Sequence, residues 1–258
     1  MDQSKHRPDP FFVGYVSALP DGLKSFLTIV ILALLGGFAG IAFAIATSQD
    51  NPGDGRFRFD LGYQTMTGII EAGPYPLLRL PPSDDHPDGR TVLLSGGGKR
   101  GVQARAAPLD GQFADAGGIW IRRGDIDMLQ VGGKVGLRAS EIDAPAFDPS
   151  APVDLGRWQL TGEICDGKCY LGAMRPGRGL AHKACANVCL NEGIPPVFVT
   201  TAPVDGRMFF LLADSDGAPL TERILPHVAQ MVRIDGAVER RGDLHVFKAD
   251  LATLELLQ

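Results

Sequence analysis

This chain contains an internal duplication, which restricts its possible folds more than any other part of the sequence. A pattern of apolar and turn residues recurs at a spacing of 118 residues (211 − 93, and again 240 − 122). Because the pattern is the same, we expect the same domain twice. The matching positions are Leu93 and Leu94 with Leu211 and Leu212, Pro108 with Pro226, and the Arg-Arg-Gly-Asp motif at 122–125 with the one at 240–243.

The second copy carries an insertion. Near its start the spacing is only 94 residues (161 − 67), so 24 residues (118 − 94) have been gained after the first strand. The inserted segment holds Cys169, His182, Cys185 and Cys189, and Cys165 directly precedes it. The first copy has no cysteine or histidine at corresponding positions, so we expect any ligand site to belong to the second copy alone.

In each copy the residue pattern predicts three strands, a short helix and two further strands. Val232, Ile234 and Val238 alternate with charged residues, as in a half-buried strand. This is the plan of the five-stranded OB-type barrel, although a compact sandwich with the same strand count has nearly the same pattern. The predicted strands are 64–71, 77–80, 91–94, 112–122 and 125–131, then 158–166, 197–201, 208–213, 231–240 and 243–248, with a helix near 221–228.

We therefore predict a mainly β chain with two tandem OB-like five-stranded barrels, at 63–131 and 157–258, joined by a linker at 132–156. The 33 glycines and 19 prolines among 258 residues agree with short strands and many turns. A polar linker at 48–62 precedes the first barrel.

Residues 27–46 contain no charged side chain, and at about 1.5 Å each they span the roughly 30 Å core of a bilayer. A cleaved signal peptide is the alternative, because Ala42, Ala44 and Ala46 fit a small-x-small cleavage pattern. The apolar run is longer and begins later than in a signal peptide. We predict a single uncleaved transmembrane helix at 25–47, preceded by a cytoplasmic or interfacial tail at 1–24.

Two features of this region could contact a partner. Gly36, Gly40 and Ala44 form a row of small residues that permits close helix packing, although such residues are common in any membrane helix. The aromatic residues Phe11 and Tyr15 in the tail predict either an interfacial segment or a strap docked on a neighbouring membrane protein.

Charge and cysteine usage predict the location. The four cysteines lie within 25 positions (165 to 189), which suits an oxidising compartment. Basic residues are only slightly more numerous before the span than after it, so the positive-inside rule gives little support to either orientation. We predict a bacterial inner-membrane protein with its barrels in the periplasm. A net charge of −5 argues against a nucleic-acid partner.

The inserted segment predicts a helix at 181–193, stopped by Gly193 and the two prolines that follow. His182, Cys185 and Cys189 stand at i, i+3 and i+7, which would place them on one helical face.

A motif runs through this region and into the strands that follow it. Its residues are Cys169, Tyr170, Leu171, Gly177, Gly179, His182, Cys185, Ala186, Cys189, Gly193, Ile194 and Pro195, then Leu211, Leu212, Arg241 and Gly242. On these residues the segment of about 158–251 resembles small secreted or membrane-anchored bacterial OB-type domains. The resemblance implies an OB-type fold and an exported location, and it implies no activity.

Two uses of the cysteines remain open at this point. Disulfides are the expected state of an exported protein, and cross-pairs between Cys165 or Cys169 and Cys185 or Cys189 would staple the helix to the barrel. Otherwise Cys169, His182, Cys185 and Cys189 could hold zinc or copper, with Cys165 nearby. We expect no other cofactor, because a Cys-x-x-Cys-His haem motif is missing from the sequence.

The remaining motifs are weak. Residues 96–101 resemble a phosphate loop only superficially, since Arg100 stands where that loop needs a hydroxyl. His86, His227 and His245, which we place on the outward face of a strand, are predicted to be solvated or hydrogen-bonded. The sequence has no recognisable catalytic motif.

Together these features favour a non-catalytic accessory or assembly subunit of a membrane complex, such as a respiratory or electron-transfer complex, bound to an integral-membrane partner. The alternative is a metal- or thiol-handling protein that uses the cysteine and histidine cluster for zinc or copper binding or for redox chemistry.

Overall fold

The computed structural model describes Leu19 and residues 21–48, 55–124, 126–142, 151–220 and 222–257. The chain divides into two compact units, Met1–Asn51 and Pro52–Gln258. The aromatic residues Phe11 and Tyr15, predicted to form an interfacial segment or a docked strap, lie outside the described residues.

The first unit contains helix α1 (Asp21–Ser48). Its segment Gly22–Ala44 is 23 residues long with a mean hydropathy of 2.5, and none of that apolar surface is buried. Among the described residues, α1 is therefore the helix that is long and apolar enough to cross a membrane.

The first barrel begins after the two-residue strand β1 (Arg56–Phe57). Its five strands close on themselves because β2 pairs with both β3 and β5, β4 runs parallel to β6, and β6 returns to β5. The strands are β2 (Gln64–Glu71), β3 (Leu77–Leu80), β4 (Arg90–Ser95), β5 (Phe113–Arg123) and β6 (Ile126–Val131), with a short helix α2 (Gln103–Ala106) between β4 and β5.

A three-residue strand β7 (Leu137–Ala139) follows and pairs with β5. It lies inside the segment that composition predicts to be a linker. Gly136 turns the chain back toward β5 with a φ of 62°, in the left-handed region that favours glycine.

The second barrel repeats this closure strand for strand. Strand β8 pairs with β9 and β11, β10 runs parallel to β12, and β12 returns to β11. The elements are β8 (Val153–Asp166), helix α3 (Lys183–Asn191), β9 (Pro196–Val204), β10 (Arg207–Asp214), β11 (Met231–Arg241), β12 (Leu244–Ala249) and a terminal β13 (Glu255–Leu256) on β11.

The prediction of two tandem OB-like five-stranded barrels is confirmed. The parallel closures β4–β6 and β10–β12 exclude the sandwich alternative, because they join each sheet into a barrel. The two Arg-Arg-Gly motifs lie at the equivalent β5–β6 and β11–β12 hairpins, where Arg123 pairs with Ile126 and Arg241 pairs with Leu244.

The largest error in a strand boundary concerns β8, which begins five residues before the predicted 158 (158 − 153). Its ladder with β11 continues to Val153 through a register shift. Gly156, with a φ of 85°, supplies the left-handed residue that a bulge of this kind requires. The predicted helix near 221–228 is a 3-10 helix at Glu222–His227.

Each barrel has its own buried core, and a third cluster joins the two barrels. This shared cluster contains Leu77, Ile121 and Met128 of the first barrel packed with Phe209 and Leu211 of the second. The apolar faces of both barrels are therefore buried against each other, so the two barrels pack together as one body.

Polar contacts also fix the position of the two barrels relative to each other. Arg79 of β3 donates to the carbonyl of Arg241 at 2.8 Å, and Arg241 pairs with Glu71 at 2.8 Å. On the other side, Arg123 donates to the carbonyl of Tyr170 at 3.0 Å, and its guanidinium lies 4.2 Å from the centre of the Tyr170 ring. The duplicated hairpins thus serve as reciprocal contacts between the barrels.

Candidate metal site

The site is built at the end of β8, where the chain leaves the barrel. A π-helical turn at Cys169–Ala173 follows β8, and a 3-10 helix at Leu180–His182 leads into α3. Gly177 packs against the carbonyl of Cys169 so closely that a Cβ at that position would clash with backbone. The loop is therefore folded tightly onto the π-helical turn.

Three of the four thiols meet at this point. The Sγ atoms of Cys169, Cys185 and Cys189 all lie within 4.8 Å of one another. Cys185 and Cys189 are one turn apart on α3 and so share a face, while Cys169 faces them from the π-helical turn. Cys169 and Cys189 are buried, and Cys185 is half-buried.

His182 belongs to an adjoining group with Asp166 and Cys169. Its Nε2 lies 2.9 Å from Oδ2 of Asp166, and both side chains are buried. The other carboxylate oxygen of Asp166 accepts the backbone N–H of Cys169 at 2.8 Å. Asp166 therefore holds both the ring of His182 and the turn that carries Cys169.

The predicted single face of His182, Cys185 and Cys189 needs correction. The three thiols form one group and His182 forms another, which shares only Cys169 with the first. His182 ends a 3-10 helix rather than lying within α3. The angular spacing of an α-helix does not extend back to this residue, and the buried Asp166 sets the direction of its ring.

Cys165 is not part of the cysteine cluster to which the sequence analysis assigned it. It lies 1% exposed in the apolar cluster between the barrels, and its Sγ contacts Oε1 of Glu163 at 3.3 Å. Burial raises the pKa of this thiol well above its usual value, and the nearby Glu163 carboxylate adds to the shift. Cys165 is a buried core residue apart from the three-thiol group.

All four cysteines are free thiols in this structure. The predicted disulfide pairs are therefore not formed, although the three clustered thiols are close enough for a small movement to join two of them. Cys189 and Cys169 share a hydrogen bond, which lowers the pKa of Cys189 and raises the pKa of Cys169. A thiolate at Cys189 is thus stabilised by its neighbour.

Two lysines border the thiols, and sequence reasoning missed both. The buried Lys168 donates through Nζ to the carbonyls of Gly96 at 2.6 Å and Gly98 at 2.7 Å. Burial lowers the pKa of Lys168 to about 8, while the nearby Cys169, Cys189 and Asp166 favour its charged form. A hydrogen bond with Cys185 raises the pKa of Lys99.

These contacts bring the glycine-rich loop 96–101 of the first barrel onto the site of the second. The N–H of Gly101 donates to the carbonyl of Glu192 at 2.7 Å. The candidate ligand side chains all lie in the second copy, and the first copy contributes Lys99 and the carbonyls that hold Lys168. The available signal was the glycine-rich stretch 96–101 of the first copy with its single Lys99, but nothing local in sequence connects this stretch with α3.

Met174 is a further neighbour that the cysteine spacing does not reveal. Its Sδ lies 3.5 Å from Sγ of Cys185 at the exposed side of the thiols, where the Met174 side chain is 43% exposed. The group of soft sulfur atoms is therefore larger than the cysteines alone.

The small-residue row of α1 lies outside this site. Gly36 and Gly40 have no atom within 4 Å of where a Cβ would stand, apart from their own helix, and Ala44 is exposed. Of the other histidines, His86 contacts Arg90 at 2.8 Å and His227 is half-buried. His245 does not point outward as predicted, since it is 4% exposed and pairs with Asp205 at 3.1 Å.

The donor set can accommodate a soft metal ion. Zinc binds thiolate sulfur at about 2.3 Å, which places two sulfurs of a tetrahedral site about 3.8 Å apart. The three thiols, at no more than 4.8 Å, need to contract by only about 1 Å to reach that geometry. His182, held by a carboxylate as metal-binding histidines usually are, is available beside Cys169.

In comparisons with known proteins, the chain matches no family model, no curated protein and no solved structure. The class of protein is defined here by its fold and its site: two tandem OB-like barrels with a three-thiol group at their junction, following a helix able to cross a membrane.

Proposed function

We propose that this chain is a membrane-anchored protein that binds one soft metal ion, zinc or copper, through Cys169, Cys185 and Cys189. The observation that carries the proposal is the convergence of these three thiols, within 4.8 Å, from two separate segments of the chain. Disulfide staples would need only pairs of cysteines, whereas a three-sulfur group is the arrangement that soft metals prefer.

The surrounding charges support the binding of thiolates. Three thiolates and a divalent ion would carry a net charge of −1, and Lys99 and Lys168 lie close enough to the sulfurs to offset it. The ion would hold the π-helical turn, α3 and, through Lys168, the loop of the first barrel in one arrangement. The half-exposed Cys185 gives one side through which an ion can enter or leave.

We place the barrels on the outer face of a bacterial inner membrane, anchored by α1. The support is the apolar segment Gly22–Ala44 together with four cysteines in the part that follows it. A reporter fused after the C-terminus should be active only as a periplasmic enzyme. Activity of a cytoplasmic reporter at that position would reverse the orientation and leave the metal site untouched.

Metal titration of the full chain in detergent tests the proposal. The protein is reduced with a non-thiol reductant, stripped with a chelator and titrated with Zn(II) or Cu(I). We expect one tightly bound ion per chain. Loss of even a residue that only hydrogen-bonds to a metal ligand weakens metal binding by roughly 10- to 100-fold, so Cys189→Ser should weaken it by at least as much.

Cys165→Ser is the matched control, because Cys165 is buried like Cys189 but stands outside the three-thiol group. It should bind like the wild type. Equal binding by wild type and Cys189→Ser, with both folded, would overturn the proposal. Disulfides that re-form at Cys169 in preference to metal uptake would favour a thiol redox role for the same residues.

A second function, as an accessory subunit of a membrane complex such as a respiratory one, is favoured by one feature of α1. The exposed surface at Gly36 and Gly40 leaves room for another membrane helix to approach closely. Gly40→Leu should then release a co-purifying membrane protein, while Ala42→Leu, on the opposite face of α1, should retain it. Release by both variants, or by neither, would remove the support for a helix partner on this face.

A further inference from the structure

Met174 places a thioether beside the three thiols, and its position points to a particular metal. Its Sδ lies 3.5 Å from Sγ of Cys185. Building on the proposed soft-metal function, we propose that Met174 is the fourth sulfur donor of a copper(I) site with Cys169, Cys185 and Cys189, and that its thioether makes the site selective for Cu(I) over Zn(II).

The fold brings Met174 to the site from the segment that carries Cys169. The π-helical turn Cys169–Ala173 ends at Met174, whose backbone is extended, with φ −146° and ψ 152°. Gly172, with a φ of 120°, packs against the backbone of Gly55 so closely that no side chain fits there. The turn is thereby packed against the segment that leads into the first barrel, and Met174, the residue after the turn, contacts Cys185 of α3.

The exposure of Met174 is informative because a methionine that fills a core would be buried. Its side chain is 43% exposed, whereas Cys169 is 5% and Cys189 is 1% exposed. The thioether thus lies on the solvent side of the thiols. A sulfur atom in that position can bind an ion that enters the site. It contributes little to the packing of the core.

The chemistry of the donor favours the monovalent ion. A thioether is a soft, neutral ligand suited to Cu(I), while Zn(II) is bound in proteins by thiolate, imidazole and carboxylate. His182 groups with Asp166 and Cys169 and not with Cys185 or Cys189, whereas Met174 contacts Cys185 directly. As Cu(I) binds, the thiols release protons to solvent and no electron is transferred.

The test uses the full chain in detergent, reduced and free of oxygen. Cu(I) affinity is measured by competition with bathocuproine disulfonate, and Zn(II) affinity is measured with a chromophoric zinc indicator. Met174→Leu preserves volume but removes the sulfur. We expect it to weaken Cu(I) binding by at least the roughly 10- to 100-fold typical of a lost partner at a metal, with zinc binding changed by less than about twofold.

Met231→Leu is the matched control, since Met231 is similarly exposed at 36% on β11. It should leave both affinities at wild-type values. In selenomethionine-labelled protein, selenium X-ray absorption should show a copper neighbour that disappears in Met174→Leu and persists in Met231→Leu.

The outcomes separate this inference from the proposed function. Copper binding that Met174→Leu leaves unchanged, without selenium–copper scattering, would refute the thioether ligand and leave a thiol metal site standing. A wild-type chain that takes zinc and not Cu(I) would also refute it. A chain that binds neither metal would refute the proposed function itself.

Discussion

At the scale of single residues, His245 shows how a polar side chain is placed inside a barrel. It lies on β12 between apolar neighbours and is 4% exposed, and its ring is in a T-shaped arrangement with that of Phe210. Its Nε2 pairs with Asp205 at 3.1 Å, while Nδ1 is buried without a hydrogen-bond partner among the described residues. Burial lowers the pKa of His245, and Asp205 only partly opposes this shift.

This residue predicts a pH dependence of stability. Because the folded pKa lies below the usual value of about 6.5, the unfolded chain binds more protons as the pH falls through this range. The contribution of His245 is therefore complete above pH about 6.5 and is lost on acidification below it. His245→Gln should flatten the decline of the unfolding free energy between pH 7.5 and 5.5, as measured by urea denaturation at about 25 °C.

His86→Gln provides the control, because it removes an imidazole from a loop of the first barrel. Its pH profile should parallel that of the wild type. An identical slope in wild type and His245→Gln would show that His245 is not the group that couples acid to unfolding.

At the scale of elements, the loop 96–101 and helix α3 form the contact on which the site depends. Gly101 donates to Glu192, and Gln103 donates from its side chain to the carbonyl of Gly193. Gly101 has no room for a Cβ because the backbone of Gly193 lies against it. Gly97, in the same loop, has nothing within 4 Å of its Cβ direction.

These two glycines form a matched pair. Gly101→Ala should lower the unfolding free energy by about 1–3 kcal/mol, because the loop must move away from α3. Gly97→Ala should be close to neutral or slightly stabilising. The separation of loop and helix should also raise the rate at which Cys185 reacts with a thiol reagent in Gly101→Ala only. Equal reactivity in the two variants would mean that the loop does not shield the thiols.

At the scale of the whole molecule, the two barrels are predicted to unfold together. Leu93 and Met128 of the first barrel share a cluster with Val197 and Val246 of the second. If the barrels separated, both would expose apolar faces that are fully buried in the native state, at a cost of roughly 25 cal/mol per Å² of apolar surface. A cooperative transition of the entire pair is the consequence.

The two tryptophans of the chain allow this to be measured, because Trp120 reports on the first barrel and Trp158 on the second. Trp158→Phe and Trp120→Phe each leave a single reporter. In each variant the midpoint of the fluorescence transition should coincide with the midpoint of the circular dichroism transition. Because both are measured on the same variant, a change in stability caused by the substitution does not affect the comparison. Separate midpoints in one variant would show that the barrels melt independently.

The barrels could be predicted from sequence because they rest on local alternation and on duplicated spacing. The clustering of Cys169, Cys185 and Cys189 was also accessible, since α3 fixes two of them by helical period. The place of Cys165 was not, because its thiol faces the junction between barrels. Lys99 and Met174 reach the site through tertiary packing and a tight loop, which leave no periodic signal.

Whether three thiols hold a metal ion in this protein can be read from the intact mass of the full chain. The protein is extracted gently, without chelator or added metal, and analysed by native mass spectrometry and, after denaturation, by alkylation without reduction. We predict one copper or zinc ion per chain and four alkylated cysteines, in keeping with four free thiols. A metal-free chain whose mass is lower by four hydrogens, with no alkylation, would show two disulfides and contradict metal binding by the three thiols.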